Sequence, residues 1–151
     1  MQWTEADFDE LSWHDNHVHG IQVEMDNPDH GTGILTLDLD HIIEWLPPSA
    51  PGVPFQFRVA PARLTFHEIS SLRIEIDWAA ATAGMTPFSI GAIARKKLEY
   101  GTGYTSWAWT IEVNWPKGAI TFDSPRFTQQ VTGPVILTDE QCLSPSQRSA
   151  V

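Results

Sequence analysis

Two histidines one residue apart, His17 and His19, with Asp15 just before them, form the densest run of metal-ligating side chains in the sequence. Residues at i and i+2 of an extended strand project from the same side, so both imidazoles and the carboxylate could meet one ion. A divalent transition metal is the cofactor that such a set would hold. His41 joins it if the following strand pairs His19 opposite His41, which would place three histidines on one face. A one-residue slip in register would separate them. The competing role is structural: His17 and His19 would cap the apolar face near a sheet end, hydrogen-bonded to Asp15 or to backbone groups, and no cofactor would be needed.

The second set of candidates is acidic. Asp38, Asp40 and Glu44 share one side of the segment 34–45, opposite Leu35, Leu37, Leu39, His41, Ile43 and Trp45. Paired carboxylates can serve acid–base chemistry or bind Ca2+, but on an exposed strand they more often form a solvated face or meet a partner. Nucleophilic catalysis has little support. The single cysteine, Cys142, lies in the C-terminal tail with no histidine near it in sequence, and there is no Gly-x-Ser-x-Gly elbow.

The elements that must position these groups are strands. Asp15, His17, His19, Ile21, Val23 and Met25 alternate with Asn16, Val18, Gln22 and Glu24. The polar turn Asn27–Gly33 then leads into the second alternating run, so residues 13–45 read as a hairpin carrying five of the six histidines, with His30 in its loop. Before it, Thr4 and Asp7 have capping-box-like spacing for a short helical turn. After it come Phe55–Val59, with Pro61 marking a bend or edge, then Leu72–Trp78 and a small-residue loop at 79–86. Residues 87–97 are ambiguous: Ile90, Ile93 and Ala94 fit one helical face, while Phe88, Ile90 and Ala92 fit a strand, and a strand or irregular crossover is favoured. Trp107–Trp115, Ile120–Phe122 and Phe127–Val131 continue the pattern.

Seven to nine strands with at most one or two short helices predict an all-β antiparallel sandwich or flattened barrel. The chain of 151 residues fits one β domain over 1–137, followed by a tail at 138–151 expected to be flexible. The alternating tryptophans are expected in the core or on sheet faces.

The net charge of −10 is one-sided: residues 1–57 hold eleven acids and no Lys or Arg, while the remainder is nearly balanced. Such a field repels phosphate backbones, which argues against nucleic acid, and it could steer a basic protein partner. No apolar run approaches the ~20 residues that span a bilayer, and the acidic start lacks a signal-peptide layout, so a cytoplasmic protein is expected.

The spacing His17-x-His19-x4-Glu24-x6-Gly31 resembles the first cupin motif, which implies a metal-binding enzyme. Leu11 stands where that motif has glycine, no second cupin motif follows, and Glu24 has the wrong parity to join the histidines. Over most of the first half, Trp13-His14-Asp15, the Leu37–Trp45 segment and Ala60–Phe66 resemble a group of small bacterial proteins of uncharacterised function. A fainter similarity links the aromatic-His-Asp start to all-β immunity proteins of bacterial toxin systems. That resemblance implies a non-enzymatic protein that binds and neutralises a toxin. The leading expectation is therefore a partner-binding module using Asp38, Asp40 and Glu44. The alternative is a cupin-like metal enzyme using Asp15, His17, His19 and His41.

Overall fold

A computed structural model describes residues 1–80 and 82–149. Its strands are β1 (Gln2–Thr4), β2 (His17–Asn27), β3 (Thr32–Leu46), β4 (Gln56–Ile76), β5 (Phe88–Glu99), β6 (Thr105–Trp115), β7 (Gly118–Ser124), β8 (Arg126–Val131) and β9 (Ile136–Thr138). A 3-10 helix spans Glu5–Glu10, and one helical turn, α1, spans Pro145–Arg148. At the start of the 3-10 helix the Asp7 carboxylate accepts from the Thr4 backbone N–H at 2.9 Å, as the capping-box spacing predicts. The ambiguous segment 87–97 forms strand from Phe88 onward, not helix, and all the ladders are antiparallel.

β4 organises the sheet. One edge pairs with β3, which leads through β2, β5, β6 and β7 back to β4, so the sheet closes into a flattened barrel. Along its other edge the chain runs back antiparallel as β7, β8 and β9 in succession. The long strand bends near Glu68 and Ser71, both at positive φ, opposite the break between β7 and β8 at Pro125. Two half-sheets thus face each other.

Between them lies the core. Leu35, Leu37 and Leu39 of β3 and Leu64 and Phe66 of β4 pack with Trp109, Ile111 and Val113 of β6, Ile120 and Phe122 of β7 and Phe127 of β8. Burial of these large side chains supplies the main driving force. Trp109 stacks on Phe122 and meets Phe66 and Phe127 edge-on, while its indole N–H donates to the Ser124 carbonyl at 2.9 Å. Trp13 is also buried and donates to Gln129 Oε1 at 2.7 Å. Trp45 packs on an outer sheet face, edge-on to Phe55 and Phe57, and both it and Trp115 are exposed.

Pro61 makes neither a bend nor an edge. It sits inside β4, paired with Asp40, and its carbonyl accepts from Thr132 N–H at 2.8 Å. A residue's C=O and N–H point to the same strand edge, so its missing N–H falls in the gap where β8 gives way to β9. Gly133 lies against this ring: a Cβ there would come within 2.6 Å of Pro61 Cγ. Gly133→Ala should therefore destabilise by about 1–3 kcal/mol through overpacking. Urea unfolding checks this, and a neutral result would show that the loop yields freely.

A second, smaller cluster lies on the side of β3 and β4 turned away from the barrel core: Ile42, Phe57, Val59 and Leu143, with Ile136. Leu143 belongs to the tail expected to be flexible. The tail through Ser149 is docked instead, because this apolar patch needs a cover and Leu143, only 2% exposed, provides it.

Candidate functional site

The first hairpin forms, but one inserted residue changes which side its histidines face. His17 pairs with Asp40 and Val18 with Leu39; the next pair is Gly20 with Asp38, so His19 is the extra residue of a β-bulge. Val18 and Ile21 therefore face the leucines, whereas His17 and His19 lie on the Asp40 side. This corrects the expectation that His17 and His19 share the apolar row with His41.

His41 is elsewhere. It is buried, edge-on to Trp3 with ring centroids 5.0 Å apart. Asn16 fixes its tautomer: Asn16 Oδ1 accepts from Ile42 N–H at 3.2 Å, so the amide nitrogen is the group 2.8 Å from His41 Nδ1. That ring nitrogen must then accept, which requires neutral imidazole. Burial lowers the His41 pKa to about 4.

Asp40 is the centre of the site. Expected on a solvated face, it is fully buried because the tail folds over it. Its Oδ2 lies 2.7 Å from His19 Nε2 and accepts from Leu143 N–H at 2.8 Å. Its Oδ1 accepts from Arg148 Nη1, while Arg148 Nη2 donates to Asp38 Oδ1. Cys142 Sγ stands 3.9 Å from the same His19 nitrogen. Three elements thus converge: the β2 bulge, β3 and the segment 141–148.

Local chemistry in the tail aims these groups. Ser144 Oγ accepts from Gln147 N–H at 3.3 Å and Gln147 Oε1 accepts from Ser144 N–H at 2.8 Å. This capping box, with Pro145 as first helical residue, makes the turn that directs Arg148 back towards β3. Gln141 ties down the start of the segment by donating to Asp15 Oδ2 at 3.1 Å.

The hydrogen bond to Asp40 is the main cause that raises the His19 pKa to about 9, with the Cys142 contact adding to it. His19 is therefore an imidazolium at neutral pH, and Asp40 lies between two cations. Burial acts the other way on His17, lowering its pKa. Its Nδ1 is buried without a hydrogen-bond partner among the described residues.

Of the four expected metal ligands, only His19 enters a ligand cluster among the described residues. Asp15 bonds Gln141, and His41 is on the other side of β3. The three expected partner-binding acids are all engaged within the chain: Asp38 and Asp40 by Arg148, and Glu44 by Arg58 at 3.3 Å. The functional groups missed in sequence are Cys142 and Arg148.

The arrangement does not suit nucleophilic catalysis. A triad histidine takes the thiol proton on one ring nitrogen while the other donates to the orienting carboxylate, but Cys142 and Asp40 share Nε2. It does bring together imidazole, carboxylate and thiol donors. Comparison with protein-family models, curated proteins and solved structures finds no match.

Proposed function

We propose that this chain is a non-enzymatic protein-binding module that receives an extended, basic segment of its partner along the free edge of β2. One observation carries this: β2 pairs with β5 only at His17 and Val18, so Gly20–Asn27 has β3 on one side and, among the described residues, no strand on the other. Such an edge offers backbone donors and acceptors to an added strand.

Side chains define the partner. Met25 is 80% exposed and Val23 39%, and Glu24, Asp26 and Asp29 stand exposed around them without an ion pair among the described residues. Pairing two copies along this edge would oppose like charges, whereas a lysine- or arginine-bearing strand would neutralise them. The acidic surface thus works from the hairpin tip rather than from Asp38, Asp40 and Glu44. Neutralising a basic protein in this way fits the immunity-type role that the resemblance implies.

A synthetic peptide alternating lysine and valine is the direct probe. It should bind with salt-sensitive affinity and perturb amide signals at 20–27, and the E24K/D26K variant should bind about tenfold more weakly. Perturbation confined to other regions, or equal binding by the charge-reversed variant, would reject this function.

A further inference from the structure

We propose that His19 Nε2, Asp40 Oδ2 and Cys142 Sγ form a transition-metal site of the Zn2+ type. The three atoms lie within 4.8 Å of one another and come from three separate parts of the chain. Nitrogen, oxygen and thiolate sulfur donors together suit Zn2+ or Co2+ far better than Mg2+ or Ca2+, which prefer oxygen alone.

The surroundings orient the ligands. Arg148 occupies Asp40 Oδ1, and Leu143 N–H takes one lone pair of Oδ2, leaving the other directed at His19. Hydrogen bonds of this kind fix a ligating carboxylate in place. His19 also borders a cleft of about 530 Å3 together with Asp38, Arg63 and Arg148, so a fourth coordination position can be filled from solvent.

Binding exchanges protons for metal. The ion takes the position now held by the Nε2 proton between His19 and Asp40, and the Cys142 thiol ionises; both protons leave to water. The 2.7 Å nitrogen–oxygen separation is that of a hydrogen bond and must widen modestly to admit the ion. Cys142 brings the tail into the site, so metal binding would also clamp the tail against β3. This is independent of the β2 edge, and the E24K/D26K variant should bind metal as the wild type does.

Titration of the full chain, freed of metal by a chelator, with Co2+ alone provides the test. The wild type should bind one equivalent with the near-ultraviolet thiolate-to-cobalt charge-transfer band. Cys142→Ser should lose the band, and His19→Gln should weaken binding at least tenfold. Circular dichroism verifies that both variants fold, and the cysteine variant suffices if the histidine variant does not. Absence of the band from the wild type, or its survival in Cys142→Ser, would overturn the site.

Discussion

Asp40→Asn should destabilise the metal-free protein by about 3–5 kcal/mol, the usual cost of removing one partner from a buried ionic cluster. The carboxylate is fully buried and holds His19, Arg148 and the Leu143 N–H at once. Asparagine keeps the shape but turns an N–H2 towards one cation, leaves His19 without a counter-charge and leaves Arg148 with only the half-exposed Asp38. The loss should be local before it is global. Leu143, released from its amide bond, would expose the apolar surface of Ile42, Phe57 and Val59. Urea unfolding gives the magnitude, and hydrogen exchange at Leu143 shows whether the tail detaches. His19 should also lose most of its raised pKa, since the Asp40 bond is the main cause. A cost below about 1 kcal/mol, within the range of an exposed ion pair, with Leu143 still protected, would sink the idea that Asp40 anchors the tail.

How much of this was legible beforehand depends on the range of the forces involved. Alternation is local, and it located the first hairpin, the β6 strand and the all-β class correctly. The bulge at His19 also left a trace: Val18 and Ile21, the inward apolar residues, are three apart, and Gly20 interrupts the strand between them. Strict alternation cannot accommodate that spacing, whereas one inserted residue does. Ser144-Pro145-Ser146-Gln147 likewise spells a capped helical turn, which argues against a frayed tail. Where that turn docks was not legible. Arg148 meets Asp40 across 108 residues of chain, and no local pattern specifies such a pairing. The charge asymmetry was a partial guide. Glu5 meets Arg95, Glu44 meets Arg58 and the Asp38–Asp40 pair meets Arg148, so part of the acidity of the first segment is answered from within the chain.

His41 makes the chelator-treated protein lose stability as pH falls, by about 3 kcal/mol between pH 6.5 and pH 4. Its folded-state pKa is depressed from 6.5 to about 4 by burial. Above 6.5 both folded and unfolded states carry a neutral imidazole, and this contribution to stability is fully present. Below 6.5 the unfolded chain takes up a proton that the buried ring cannot, and each pH unit removes about 1.36 kcal/mol until the folded form also protonates. Protonation in place would set an N–H at Nδ1 against the Asn16 amide, which is itself a donor held by Ile42. The site therefore opens rather than accommodates the charge. His19 acts with the opposite sign: its pKa is raised to about 9, so its contribution is present below 6.5 and is lost as pH rises through 9. The two histidines place their combined stability maximum near pH 6.5, where the proton released by His41 on folding is matched by the proton taken up by His19. His17, lowered by burial as well, adds to the acidic limb. Urea unfolding from pH 4 to pH 9 measures the curve, and His41→Gln should flatten its acidic limb while leaving the alkaline limb unchanged. An imidazole signal from His41 that titrates near 6.5 in the folded protein would end this account of the acidic limb.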